Sequence, residues 1–509
     1  MAVKDLDAVE ARSGPEAAFP EPKLRPPEHE GADERFSETD GTVDLTKVKV
    51  IGPLLTRGIK SRKFQFSVIV PNQIVFWLVV ILGFVGISTP ELNFGTAITW
   101  YIWFALMFTM TLAVGRGWCM VCPFGGFGEW IQRKTFFKRT QKALGLGWRM
   151  PEKFAKYGLV ISAIVFLIMT WAEEFFNIAG PGFPYETSFM VLGIVGAATL
   201  VFLLFERRTF CRYFCPLSSL IGTAGSNGVI AGFRTRDRQK CIDCKTKDCM
   251  RGGEKGFGCP WYTYPGTADT NAYCGLCSEC YKACPYDNVG VYAQKPLNSV
   301  VKPRKRPELA WVVGILFGLV IFQQWNALGS YTAVDDWLNR VMHWPGYPNP
   351  VDYILTIGAV ALIFAGVAWL ISRVLAHKTE IARGFSSWFA PFMYGLIPLM
   401  GADFVARAMP KFWNNAAKFP ASVAMIFDHH LQISWANMAI LPNKAVIGLE
   451  IAITAVGTLA SVYAMSRIGG RDLGKMTSHT TLVKVVPAML TLALGVGLIV
   501  MYVFMNGAE

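Results

Sequence analysis

The sequence predicts a polytopic α-helical membrane protein interrupted by one cysteine-rich polar domain, on three observations. Apolar residues make up 52% of the 509 and charged residues only 17%, against about 25% charge in a soluble domain. The apolar residues fall in repeated runs of about 20, the length that crosses a hydrocarbon core roughly 30 Å thick. All twelve cysteines lie between Cys119 and Cys284. This composition excludes collagen, coiled coil and secreted disulfide scaffolds. A formal net charge of +13 would suggest nucleic acid for a soluble protein. Here the basic residues crowd the ends of apolar runs, so lipid is the expected surrounding and no nucleic-acid partner is expected.

Residues 1–46 hold twelve Asp/Glu against five Lys/Arg and several prolines, the makeup of a disordered acidic tail. Lys47, Lys49, Arg57, Lys60, Arg62 and Lys63 then precede the first apolar run, which predicts a cytoplasmic N-terminal side. About nine transmembrane helices follow, near 66–87, 95–114, 157–173, 188–205, 309–326, 351–373, 385–405, 445–466 and 482–505. Loop 115–156 carries nine Lys/Arg and loop 206–308 seventeen, while 88–94 and 174–187 carry none. Both basic loops are therefore expected in the cytoplasm. Four regions result: the tail (1–46), a four-helix membrane region (47–205), a cytoplasmic loop domain (206–308) and a C-terminal membrane region (309–509). Within the last, 419–441 reads as a tenth span, a re-entrant piece or an interfacial helix.

The first half repeats itself. Two helices are followed by Gly115-Arg116-Gly117-Trp118-Cys119-Met120-Val121-Cys122-Pro123, and two more by Arg207-Arg208-Thr209-Phe210-Cys211-Arg212-Tyr213-Phe214-Cys215-Pro216. A helical pair ending in a Cys-Pro turn is used twice.

The strongest motif is Cys274-x2-Cys277-x2-Cys280-x3-Cys284-Pro285, the bacterial ferredoxin run, whose fourth thiol ligates the other cluster of a two-cluster domain. Upstream, Cys241-x2-Cys244-x4-Cys249-x9-Cys259-Pro260 repeats the order with longer gaps. The crossed pattern pairs Cys241, Cys244, Cys249 and Cys284 around one [4Fe-4S] cluster, and Cys274, Cys277, Cys280 and Cys259 around a second. Residues 206–308 thus read as an inserted two-cluster ferredoxin-like domain. A pair of zinc sites is the competing reading, but zinc knuckles do not need a four-thiol run closed by proline. Cys119, Cys122, Cys211 and Cys215 leave three readings open: a further metal site, redox-active dithiols or structural clamps.

In the second half, Glu450 interrupts an apolar run and is a candidate proton acceptor. Asp403 reads as a helix-end residue facing the outer interface. His429, His430 and His343 are candidates for binding haem, copper or a quinone head group, weighed against a polar interfacial cluster.

Basic-aromatic Cys-Pro turns at helix ends, followed by a two-cluster module, resemble the membrane polyferredoxins typified by NapH and NosR. The resemblance covers roughly residues 66–305. The first turn departs from it, with two residues between Cys119 and Cys122 where the family has three. The resemblance implies an electron-transfer subunit of a membrane oxidoreductase complex in the bacterial inner membrane. It would relay electrons between quinol or quinone and a partner redox enzyme. A maturation factor that reduces or delivers a metal such as copper is the alternative.

Overall fold

The computed structural model describes residues 42–136, 144–178, 185–375, 384–431 and 433–506. Most of the acidic tail lies outside these. Its last residues do not follow the expectation of disorder: strand β1 (Thr42–Asp44) and a short 3-10 turn order residues 42–47. The reason is a partner, since β1 completes a sheet edge of the cysteine-rich domain, and Asp44 pairs with Arg236 at 2.9 Å. Helix α1 (Ile51–Lys60) continues this strap.

Among the described residues nine helices are long and apolar enough to cross a membrane. They are α2 (Phe64–Val85), α3 (Phe94–Val114), then, beyond the first Cys-Pro turn with its short helix α4 (Gly117–Val121) and the helix α5 (Pro123–Arg133), α6 (Gly158–Phe175) and α7 (Glu186–Leu204). After the second turn comes α8 (Pro216–Ala224) and the extramembrane domain, then α9 (Pro307–Asn326), α10 (Pro350–Leu375), α11 (Phe385–Asn415), α12 (Asn443–Leu473) and α13 (Leu482–Phe504). Each spans because a continuous helix satisfies its own backbone polar groups in lipid. Their starts and ends agree with the hydropathy expectation to a few residues except at α11 and α12, which run on past 405 and 466. The stretch near 419–441 forms only a ten-residue helix, Lys418–Phe427. At about 1.5 Å per residue it is too short to span.

Contacts between loops sort the bundle's two ends as the charge pattern predicts. Lys418 pairs with Glu91, Lys411 with Glu173 at 3.6 Å, and Trp171 Nε1 donates to the Pro348 carbonyl at 3.0 Å at one end. Lys305 meets Asp472 at 3.7 Å at the other, beside the cysteine-rich domain. Helix α11 is the axis, its apolar window wholly buried; Phe404 stacks on Phe108 of α3 at 5.6 Å.

The extramembrane domain is built on β2 (Ile230–Thr235) and β3 (Val289–Gln294), antiparallel, with Phe233 opposite Val291 and Thr235 opposite Val289. Strand β3 is central, with β1 on its other side. The register slips between Ile230 and Gly232. Gly232 has φ +94, and a Cβ there would stand 3.0 Å from Cys274 Sγ, so only glycine lets the bulged strand pass that sulfur. Eight cysteines lie on the chain between β2 and β3.

Candidate functional site

Asp237 caps the short helix Arg238–Asp243, accepting from the N–H groups of Gln239 and Lys240, and so fixes the segment that carries Cys241. Cys241, Cys244, Cys249 and Cys284 line one small pocket, open in part to solvent, with Tyr264, Tyr286 and Asn288 in its wall. Donors aim at the sulfurs. The backbone N–H of Lys247 reaches Cys244 Sγ at 3.4 Å, that of Asn288 reaches Cys284 Sγ at 3.3 Å, and Asn288 Nδ2 reaches Cys241 Sγ at 3.3 Å. Such N–H···S contacts favour thiolate over thiol and tune a bound centre.

A second four gathers beside it: Cys259, Cys274, Cys277 and Cys280 act electrostatically on one another, and Cys280 also feels Cys249 of the first. The wrap of the Cys-x2-Cys-x2-Cys run is made by left-handed residues Leu276 (φ 51) and Ser278 (φ 62). Burial pushes the thiol of Cys277 up, and the neighbouring Cys259 adds to it; Cys259 is pushed up to about 11, again by burial first. Buried thiols this close shed their protons together only when a cationic centre takes their place, so loading would release protons.

The structure brings the thiols of each of these fours near one another. Four convergent thiols with backbone donors fit a [4Fe-4S] cluster. Among the described residues no three His, Cys, Asp or Glu side chains close to the spacing of a single metal ion.

The two Cys-Pro turns also converge. Cys215 feels Cys211, Cys122 and Cys119, and burial pushes Cys122 up to about 12. The unequal spacing is absorbed in the backbone. The longer turn, Phe210–Phe214, is π-helical, with Cys215 N–H donating to the Phe210 carbonyl at 2.7 Å. A π-turn takes up one extra residue. Cys122 (φ −61, ψ 124) and Cys215 (φ −65, ψ 120) consequently share a conformation, each leading into a proline-started helix.

Sequence reasoning missed the charges around this third four. Arg116 and Arg208 each stand three residues before the first cysteine of their turn, and each is 1% exposed. Arg208 Nη1 lies 3.7 Å from Cys211 Sγ, and Arg116 reaches Cys119. Arg116 donates to Ser218 Oγ at 2.9 Å and the Ser218 carbonyl at 2.8 Å rather than to a carboxylate, and lies 4.9 Å over the Trp261 ring of the second four's neighbourhood. A Cβ on Gly125 would run into the Arg208 guanidinium, so that glycine permits the approach. The repeated Arg-x2-Cys spacing is the signal; we read those arginines only as flanking charge.

Glu129 of α5 answers three guanidiniums: Arg133 on its own helix, Arg207 at 3.0 Å and Arg208 at 2.7 Å. Burial pushes its carboxyl up, but Arg133, Arg208 and Arg207 outweigh that and hold it far below the usual range. Glu279, paired with Lys282 at 2.8 Å, is likewise lowered: burial opposes, and Lys282 and Arg133 prevail. Depressed carboxyls contribute stability that is complete above the unfolded glutamate value of about 4.3 and drains away as pH falls toward the folded value. The thermal midpoint should therefore hold level from pH 7 to about 5 and fall below about 4.5, less steeply in Glu279→Gln. An equal slope in that variant would contradict the assignment.

The second half places its candidates unevenly. His429 and His430 are exposed in a turn after 427, and His343 is exposed at the end of helix Gly329–Met342. Glu450 is 4% exposed. Asp403 corrects the sequence reading: α11 continues ten residues beyond 405, so Asp403 lies inside the bundle, 0% exposed, rather than at an interface.

A family model described as a 4Fe-4S binding domain matches residues 96–143 and 187–228. Those two stretches carry the two Cys-Pro turns. An uncharacterized protein of Methanocaldococcus jannaschii is 24% identical over 185 residues, 35% of this chain and 72% of the relative. No solved structure matches. The repeated match to a [4Fe-4S]-binding model makes the chain similar to ferredoxin-type iron–sulfur proteins at its two Cys-Pro turns, and its long apolar helices fit a multi-pass membrane protein.

Proposed function

We propose that the protein is an inner-membrane electron relay, the iron–sulfur subunit of an oxidoreductase complex, carrying electrons between quinol or quinone and a partner redox enzyme. Two [4Fe-4S] clusters are held on the cytoplasmic side, one by Cys241, Cys244, Cys249 and Cys284, the other by Cys259, Cys274, Cys277 and Cys280. A third sits at the membrane edge on Cys119, Cys122, Cys211 and Cys215. Bound clusters supply one-electron chemistry.

The observation that carries this reading is the row the cysteines make. Cys249 lies within electrostatic reach of Cys280, and Arg116 spans from the Trp261 ring to Cys119. Cysteines of all three fours share one apolar cluster with Phe233, Trp261 and Tyr281. That packing keeps water from the sulfurs, and a chain of near neighbours is what one-electron transfer requires. For the third four, the buried guanidinium of Arg116, whose hydrogen bonds go to Ser218 and the Ala272 carbonyl, favours an anionic tetrathiolate centre over neutral dithiols or a disulfide, because a buried cation needs a counter-charge.

Anaerobically purified protein should contain about twelve irons with matching sulfide. A quinol should reduce at least one centre, seen by spin resonance. Copper at the membrane-edge thiols with quinol-silent clusters would instead indicate the maturation factor.

A further inference from the structure

Lipid excludes unpaired polar groups, yet α11 and α12 bring a set of them together inside the second half of the bundle. Asp403 and Arg407 lie one turn apart on α11; Glu450 and Thr454 lie one turn apart on the helix packed along it. Gln324 from α9 and Tyr502 from α13 complete the set, donating to Asp403 Oδ1 at 3.1 and 3.0 Å. Asp403, Gln324 and Thr454 are 0% exposed and Glu450 4%.

Four atoms in this set are buried without a protein partner: Asp403 Oδ2, Gln324 Oε1, Thr454 Oγ1 and Arg407 Nη1. Each such group is destabilising unless something satisfies it. The set combines an orphaned cationic donor with orphaned acceptors, inside a bundle whose core is otherwise apolar. A ligand that satisfies it must both accept and donate hydrogen bonds and carry a flat apolar body soluble in lipid.

The set also has a route to the cysteines. Phe404 adjoins Asp403 in sequence and packs on Phe166 of α6 at 6.4 Å. One turn along α6, Ser162 donates to the Cys215 carbonyl at 2.7 Å. Two packed aromatic residues and one serine therefore join the polar set to the third four.

We propose that Asp403, Arg407, Glu450 and Gln324 form the binding site for a quinol head group, an inference that rests on the relay reading above and gives it a location. Arg407 donates to one ring oxygen, and the carboxylates of Asp403 and Glu450 accept from the hydroxyls. On oxidation both O–H bonds break, one proton passing to each carboxylate, and the two electrons leave singly for two oxidised cysteine-held centres. The products are the quinone, two reduced centres and two bound protons. This use of Asp403 is more specific than the general proton acceptor suggested by Glu450 alone, since it requires both helices.

The test uses the full-length, cluster-loaded protein in lipid nanodiscs with decylubiquinol as reductant and decylubiquinone as ligand. Asp403→Asn and Glu450→Gln keep shape and remove the base. Each should slow quinol-driven cluster reduction by about 100-fold, the size of a lost general base. Arg407→Gln, which removes the donor to a ring oxygen, should weaken decylubiquinone binding by about tenfold, while in all three variants iron content and reduction by dithionite stay at the wild-type level. If wild type is quinol-reducible and both carboxylate variants match it, the site is overturned and the relay stands. If wild type binds quinone, Arg407→Gln loses it, and no cluster is reduced, the site stands and the relay falls. A wild type that neither binds quinone nor accepts electrons from quinol overturns both, leaving a polar pocket filled by water.

Discussion

Cys215→Ala protein is expected to lose about four of about twelve irons and one spin-resonance signal, while both clusters of the extramembrane domain survive. The selectivity follows from where Cys215 sits. Its backbone is fixed independently of its sulfur, by the N–H bond to Phe210 and by Ser162 on its carbonyl. The thiol has no role in the β2–β3 frame that holds the other eight cysteines. Removing one of four ligands from a buried centre leaves an iron open, and the surrounding arginines are then deprived of the charge they neutralise. Electron transfer from quinol to the outer clusters should fall with it, because the third four lies between them and the bundle. Parallel loss of all iron would mean that the turn is a folding element of the whole chain. Retention of all iron would make these thiols clamps or redox dithiols, and the relay would need another path.

Much of this architecture is legible in the sequence, for reasons that differ by element. The long apolar runs announce the spans because lipid leaves no other way to satisfy a backbone. The cysteine fours of the polar domain are legible as candidates because their short loops carry the spacing a cubane would impose. What fails is whatever depends on a second segment. Residues 42–47 look disordered by composition and are ordered by pairing with β3 and by Arg236. Asp403 looks like an end residue because Arg407, Pro410 and Lys411 break the hydropathy, though the helix runs through them to Asn415. The equivalence of Cys119-x2-Cys122 and Cys211-x3-Cys215 is hidden because a π-turn has no strong sequence mark. Arg116 and Arg208 read as ordinary flanking charge until their burial shows them turned inward.

Glu129→Gln is expected to be among the most damaging single substitutions outside the cysteines, costing about 3–5 kcal/mol, the range for breaking a buried ion pair on one side only. The carboxylate is 1% exposed and ties α5, from the first turn, to Arg207 and Arg208 of the second. An amide oxygen can still accept one hydrogen bond, but it leaves three guanidiniums in a water-poor interior, with only Glu279, itself paired with Lys282, left acting on Arg133. Their repulsion would then act across the contact that joins the two repeated halves. The thermal midpoint should drop sharply and iron at the third four should fall in step, because Arg208 also faces Cys211. A charge origin, rather than a simple packing fault, is separated by adding Arg133→Gln to the variant. That change removes one of the stranded cations from the same helix, and the double variant should recover about 0.5–3 kcal/mol relative to Glu129→Gln alone. A single variant that melts within about 0.5 kcal/mol of wild type would show that the arginines are neutralised chiefly by the centre they surround, and that Glu129 is dispensable to the join.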